Sequence, residues 1–123
     1  MDKLKVWVVD DEALLADVTK RTLDRRGHDV TCFGTAEAVI EALKATCEAP
    51  GTKPDVVVTD FNLPGQTGEA VAEAAQMISV SRIIIMSGRP DENEPVAKRL
   101  GVGFIEKPFP SSELFFALVE GTI

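Results

Sequence analysis

The sequence predicts an α/β protein with a parallel β-sheet that carries helices on both faces. Five short apolar stretches alternate with five segments of helical character, which is typical of parallel sheets. The stretch that ends at Asp60 is apolar on successive residues, which favours a strand buried on both sides. Because right-handed crossovers restrict the arrangement of such units, we expect one layered domain over residues 1–123.

Composition and charge argue against several functional classes. The net charge of −7 disfavours direct nucleic-acid binding, because phosphate contacts need clustered Lys and Arg. No apolar run approaches the ~18 residues of a membrane span, and Met1 leads into a strand without room for a signal peptide. Cys32 and Cys47 are far apart and are expected to be free thiols, so the sequence favours a cytoplasmic location.

The first half of the chain predicts three strands and two helices. Strands are expected at residues 4–9 and 30–33, and the central strand ends at Asp60. Helices are expected over residues 13–26 and after the cap Thr35. Core-facing positions on these two helices are expected at Leu14, Leu15, Val18 and Leu23, and at Ala36, Val39, Ile40 and Leu43.

The second half predicts two strands and two or three helices. Strands are expected at residues 82–86 and 103–105, and a helix over 68–78. The segment 91–100 is expected to form only a short, poorly anchored helix, because Pro95 interrupts it. Core-facing positions are expected at Val71, Ala74, Ala75 and Ile78 and, in a last helix capped by Ser111 or Ser112, at Leu114, Ala117 and Leu118.

Polar side chains follow four of the predicted strands where each strand ends. These are Asp10 and Asp11, then Asp60, Ser87 and Lys107. Because the carboxyl ends of parallel strands meet at one edge of a sheet, we expect them to lie close together. Two carboxylates about 5 Å apart repel by roughly 3 kcal/mol at an effective dielectric near 20. A hard divalent cation such as Mg²⁺ would relieve this repulsion and accept carboxylate, water and phosphate ligands.

This set of groups suits phosphoryl transfer to a carboxylate. Asp60 can act as a nucleophile toward phosphorus and form an aspartyl phosphate, while Ser87 offers a hydrogen bond and Lys107 a positive charge. Each residue alone has a plainer interpretation, because an Asp at a strand end is commonly a turn or cap residue. Asp10 or Asp11, for example, could simply cap the first helix. The hypothesis therefore depends on the residues as a set.

Four short motifs carry a resemblance to a known family. They are VVDDE at 8–12, VTDFNLP at 58–64, IIMSG at 84–88 and IEKPF at 105–109. In this order and spacing the chain resembles the receiver domains of bacterial response regulators, such as those of chemotaxis, over essentially its whole length. The resemblance implies a flavodoxin-like sheet of order 2-1-3-4-5.

The resemblance also implies roles for individual residues. Asp60 would accept a phosphoryl group from the phosphohistidine of a histidine kinase or phosphotransfer protein. Mg²⁺ would be held by Asp11, Asp60 and the backbone carbonyl of Asn62, with Asp10 behind them. The domain would promote its own phosphorylation and dephosphorylation and switch a surface for an output partner, without turning over an independent substrate.

Three features depart from the pattern of the family or are particular to this chain. Phe104 stands at the position of the switch aromatic residue, so with Ser87 it would form the switch, but without a tyrosine hydroxyl. Arg89 lies near the expected phosphoryl site, where a cation could stabilise the phosphate or hinder water. The segment 91–100 is shorter than the usual fourth helix. The resemblance further implies a cis peptide bond before Pro108.

Two other functions compete with the phosphoacceptor interpretation. A Mg²⁺-dependent phosphohydrolase that acts through an aspartyl phosphate would need a general acid and base two positions after Asp60, where this chain has Asn62. A pseudo-receiver would bind a partner without phosphorylation, and the complete set of acidic, hydroxyl and ammonium groups argues against it. The sequence leaves open whether the chain acts alone or belongs to a hybrid kinase or a larger regulator.

Other conspicuous side chains have structural interpretations. His28 follows Gly27 in a loop and is expected at the surface. Trp7 lies inside the first strand and is expected to serve packing. Phe115 and Phe116 are adjacent on a helix and cannot both face the same core.

Overall fold

The computed structural model describes residues 3–49, 51–107 and 112–122, in which five strands and five helices alternate. The strands are β1 (Lys5–Val9), β2 (Asp29–Phe33), β3 (Val56–Asp60), β4 (Arg82–Ser87) and β5 (Gly103–Glu106). The helices are α1 (Ala13–Asp24), α2 (Ala36–Ala45), α3 (Gly68–Met77), α4 (Pro90–Leu100) and α5 (Ser112–Glu120).

The five strands form one parallel sheet in the order β2-β1-β3-β4-β5, which confirms the predicted fold class. The central strand β3 has Val58 between Val8 of β1 and Ile84 of β4. Its residues alternate between two cores: Val57 packs with α2 and α3, while Val56 and Val58 pack with α1 and α5. The uninterrupted apolar run of β3 thus follows from burial on both faces.

The apolar stripe predicted on α1 is wrong except at Leu23. The buried face runs through Ala16, Thr19 and Leu23, at i, i+3 and i+7. Small residues at two of these positions let the helix approach the sheet. Three larger apolar side chains lie on the outside instead: Leu14 (83% exposed), Leu15 and Val18 (59% exposed).

The fourth helix is longer and more regular than predicted. It spans eleven residues, because Pro90 suits the first turn and the left-handed Gly101 supplies a proper end. Pro95 is exposed, so it removes one backbone donor without ending the helix. The fully buried side chains of α4 are Asn93 and Ala97.

Of the core positions predicted for α5, Leu114 is wrong, Ala117 is only partly buried, and Leu118 is partly buried and packs against the core. Phe115 and Val119, four residues apart, are its buried side chains, and Leu114 is exposed. Phe116 is partly buried and packs against the same core as Phe115, so the expectation that two adjacent rings cannot share one core is wrong. Ser111 and Pro108 lie outside the described residues, and so does the predicted cis peptide bond.

The prediction that His28 lies at the surface is wrong. Its imidazole is buried between the start of β1 and the end of α5, where Nδ1 accepts the Leu4 N–H at 3.2 Å and Nε2 lies 2.8 Å from the Glu120 carboxylate. Glu120 also pairs with Arg26 at 2.6 Å. We call His28, Glu120 and Arg26 the basal cluster. It joins segments about ninety residues apart, which local sequence patterns do not reveal.

Several smaller predictions agree with the structure. Trp7 is buried, with its ring centre 5.0 Å from that of Phe33. Cys32 and Cys47 are both free thiols. None of the helices in the described residues is long and apolar enough to cross a membrane.

Candidate functional site

The parallel register brings the predicted site residues to one edge of the sheet. Asp60 is the last residue of β3 and lies opposite Met86, so Ser87 at the end of β4 is its neighbour along the edge. Lys107 follows β5, and its N–H donates to the carbonyl of Ser87 at 2.8 Å. Asp10 follows β1, and its N–H donates to the carbonyl of Phe33 in β2 at 3.0 Å. We call Asp10, Asp11, Asp60, Ser87 and Lys107 the acidic site.

Three carboxylates of the acidic site converge closely enough to share one ion. Asp10, Asp11 and Asp60 each offer an oxygen atom within 4.8 Å of the other two. Asp10 and Asp60 are buried, while Asp11 lies at the exposed rim. Such an acidic cluster could bind a metal ion, and hard oxygen ligands of this kind suit Mg²⁺.

The ammonium group of Lys107 lies against two of these carboxylates. Its Nζ atom is 3.1 Å from Oδ2 of Asp60 and 3.4 Å from Oδ2 of Asp10. Asp11 contributes a third negative charge, so one ammonium faces three carboxylates. The acidic site therefore carries an excess of negative charge that a divalent cation would balance.

Burial and charge act in opposite directions on the two central groups. Burial raises the pKa of Asp60, and although the hydrogen bond and charge of Lys107 lower it, the net shift is upward. Burial lowers the pKa of Lys107, but its hydrogen bond to Asp60 and the charges of Asp60 and Asp10 outweigh this, so its pKa is raised. The positive charge of Lys107 is thus favoured by its carboxylate partners, whereas burial disfavours the negative charge of Asp60.

Asp10 combines a structural role with its place in the acidic site. Its Oδ1 accepts the backbone N–H of Glu12 at 2.9 Å, which orders the entry into α1, while Oδ2 faces Lys107. Glu12 is the N-cap of α1 and the helix has no side-chain cap, so Asp10 orders the turn before the helix and does not cap it. The backbone N–H of Asn62 bonds to the Asp60 carboxylate, and the role predicted for the Asn62 carbonyl stays a prediction.

Gly68 was not recognised from the sequence, although it shapes the site. A Cβ atom there would collide with the backbone oxygen of Asp60 and lie 2.8 Å from Cα of Phe61. The N–H of Gly68 also donates to the carbonyl of Phe61 at 2.7 Å. The absence of a side chain lets the start of α3 rest directly on the backbone that follows β3. A glycine at the first position of a helix was the available signal.

Ser87 is held by two donors, one of which was also missed. Its Oγ accepts the backbone N–H of Arg89 at 2.9 Å and the side-chain amide of Asn93 at 2.5 Å. The guanidinium of Arg89 is 68% exposed and lies 3.6 Å from Glu92, at the rim. Phe104 lies opposite Ile85 and packs against the α2–α3 core. The switch role of Ser87 and Phe104 stays a prediction.

Comparisons with known proteins agree with this architecture. The sequence pattern of the response regulator receiver domain family matches residues 6–119 of the chain. The transcriptional regulatory protein FixJ of Bradyrhizobium diazoefficiens is 36% identical over 121 residues, which is 96% of this chain and 56% of that protein. The chain thus spans little more than half the length of this relative.

Solved structures of receiver proteins share the fold. A response regulator receiver protein from Sinorhizobium medicae is 29% identical with a TM-score of 0.81, covering 98% of this chain and 94% of that chain. A receiver domain protein from Clostridium thermocellum, 24% identical, has the same coverage and a TM-score of 0.81. With the sheet order and a family match over almost its full length, the chain belongs to the response regulator receiver domains of two-component systems.

Proposed function

We propose that this chain is a phosphoacceptor in which Asp60 receives a phosphoryl group from the phosphohistidine of a histidine kinase or phosphotransfer protein. One observation carries this proposal: three converging carboxylates, two of them buried, face a single ammonium at the carboxyl edge of the sheet. A purely structural cluster would be expected to balance its charges. Family membership supports the same conclusion.

The residues of the acidic site would divide the transfer between them. A carboxylate oxygen of Asp60 attacks phosphorus, the N–P bond of the donor breaks, and the imidazole leaves with the electron pair. Lys107, already 3.1 Å from Asp60, would pair with a phosphoryl oxygen. Asp10, Asp11, Asp60 and the Asn62 carbonyl would hold Mg²⁺, which when bound supplies positive charge to the phosphoryl oxygens.

A donor protein would find an apolar surface next to the acidic site. Leu14, Leu15 and Val18 are exposed on α1, the helix that begins three residues after Asp10. Exposed apolar side chains grouped on one helix are typical of protein contacts. We infer that a kinase or phosphotransfer protein packs here, and that the domain then signals to an output partner.

With a net charge of −7, we expect no direct nucleic-acid contact and a cytoplasmic setting.

Mass spectrometry tests the proposal. Incubation with a small acyl phosphate and Mg²⁺ is expected to add one phosphoryl group to the native chain and none to Asp60→Asn. A native chain whose mass does not change would overturn the proposal. Sustained release of phosphate from a phosphomonoester would point to a phosphohydrolase, which we do not expect because the Asn62 amide does not ionise in this role.

Mg²⁺ binding can be measured separately from phosphorylation. Mg²⁺ at 100 times its dissociation constant should stabilise the native chain by about 2.7 kcal/mol. Asp11→Asn should lose most of this gain while keeping its fold, because Asp11 lies at the exposed rim. An unfolding curve insensitive to Mg²⁺ would favour a pseudo-receiver.

A further inference from the structure

The hydroxyl of Ser87 has both of its acceptor positions occupied. The donors are the backbone N–H of Arg89 at 2.9 Å and the Asn93 amide at 2.5 Å. A serine hydroxyl has two acceptor lone pairs and one proton. With both lone pairs engaged, the proton is what the hydroxyl can still offer. Ser87 is therefore arranged as a hydrogen-bond donor toward any further partner.

Asn93 is a buried polar side chain on a helix that buries little apolar surface. It is 4% exposed, and the other fully buried side chain of α4 is the methyl group of Ala97. By contrast, α2 buries Val39 and Leu43. Because anchoring by the hydrophobic effect scales with buried apolar area, polar contacts carry more of the anchoring of α4. They are the buried Asn93–Ser87 hydrogen bond and, at the other end of the helix, the Gln76 amide that donates to the Leu100 carbonyl at 2.6 Å and the Arg99–Glu69 ion pair at 2.9 Å.

We propose that Asn93 is a positioning residue that couples Ser87 to α4. Its amide keeps the Ser87 oxygen an acceptor, which directs the hydroxyl proton to a phosphoryl oxygen on Asp60, and a shift of Ser87 toward that group moves α4. Phe104 has no polar side-chain atom and cannot provide this link. The inference rests on the proposed phosphorylation of Asp60. Because coupling between two sites is reciprocal, changes at Asn93 must also alter the stability of the phosphoryl form.

Two substitutions at Asn93 separate this role from packing. Asn93→Leu keeps a similar volume but removes the donor, and we expect phosphorylation of Asp60 by a small acyl phosphate to slow by about tenfold. Asn93→Asp keeps the shape but replaces the donor with an acceptor, which captures the Ser87 proton. We expect it to slow phosphorylation at least as much as Asn93→Leu.

A variant without the Ser87 hydroxyl provides the decisive control. The Ser87→Ala variant has no hydroxyl for Asn93 to position. Adding Asn93→Leu to it should therefore change the phosphorylation rate little further. Ala97→Gly serves as the matched control on the same helix, because it loosens α4 without touching Ser87. Its phosphorylation rate should stay close to that of the native chain.

Hydrogen exchange of α4 tests the coupling directly. In the native chain, phosphorylation is expected to change exchange across residues 90–100, and in Asn93→Leu this phosphorylation-dependent change should disappear. If Asn93→Leu matches Ala97→Gly in rate and exchange, or if its effect persists in Ser87→Ala, the inference is overturned while the proposed function stands. If the native chain takes up no phosphoryl group, the proposed function fails instead.

Discussion

The two ends of the sheet each hold a cluster of charged side chains, and the two clusters differ in balance. In the basal cluster, Glu120 pairs with Arg26 at 2.6 Å. Nδ1 of His28 accepts the Leu4 N–H, so Nε2 is the nitrogen that donates to Glu120. The charges there cancel. In the acidic site, three carboxylates converge, and the ammonium of Lys107 pairs with two of them, Asp10 and Asp60.

This difference separates a structural cluster from a functional one. The hydrogen bond and charge of Arg26, aided by His28, hold the pKa of Glu120 below its ordinary value. Burial instead raises the pKa of Asp60 despite the nearby Lys107. The carboxylate of Glu120 therefore stabilises the fold, whereas that of Asp60 opposes it until a cation or ligand binds.

The largest expected effect comes from glycines that border the two clusters. Gly68→Ala should destabilise the fold by about 3 kcal/mol, because the added methyl group meets the backbone of Asp60 and Phe61. Gly121→Ala, near the basal cluster, meets the guanidinium of Arg82, which can move, and should cost about 1 kcal/mol for its positive φ. Urea unfolding measures both, and equal losses would contradict the steric argument.

The next effect tests the balanced cluster. Glu120→Ala leaves the buried Nε2–H of His28 without its acceptor, so the free energy of unfolding should fall by about 2 kcal/mol. Phosphorylation should be unaffected once the chain is folded. Glu113→Ala, an exposed position on the same helix, should change stability by less than about 0.5 kcal/mol. Similar losses in the two variants would show that the basal cluster contributes little.

The unbalanced site should respond in the opposite direction. Asp60→Asn removes a buried carboxylate that lacks sufficient positive charge, so we expect a gain of about 1 kcal/mol in Mg²⁺-free buffer at pH 7. The gain should shrink when Mg²⁺ is added, because the cation stabilises the native site. Asp29→Asn, at an exposed strand position, should be neutral. A loss of stability in Asp60→Asn would refute the charge argument.

The smallest effect is a difference in pH dependence. The folded pKa of Asp60 is raised, so the destabilisation it causes disappears as the pH falls through that pKa toward 3.8. The folded pKa of Glu120 is lowered, so its contribution persists above 4.5 and is lost only below that value. On acidification, the stability gap between native chain and Asp60→Asn should close before the gap to Glu120→Ala. Urea titrations across this pH range measure both stability gaps, and the reverse order would contradict the prediction.

Features that depend on local sequence patterns could be predicted, whereas contacts that depend on the packing of separate elements could not. Asp60, Ser87 and Lys107 could be placed at one edge because each follows an apolar strand, and the strand pattern is local. His28 could not be interpreted, because its partner Glu120 lies 92 residues away. Asn93 was missed although Ser87 is only six residues away, because their contact depends on how α4 lies against the end of β4. The length of the helix over 90–100 was underestimated, because the prediction took the exposed Pro95 as a break and did not consider Pro90 and Gly101 at the two ends of the helix.

The alternation of strands and helices, the strand ends and hence the composition of the acidic site follow from the order of the residues. The motifs of the chain also indicated the family. The buried face of α1, which leaves Leu14 and Val18 exposed, and the contact of α4 with Ser87 are evident only in the folded chain. The physical reason is that the periodicity of a strand and the position where it ends are local properties of the sequence. Burial and buried hydrogen bonds depend on surfaces that distant segments supply.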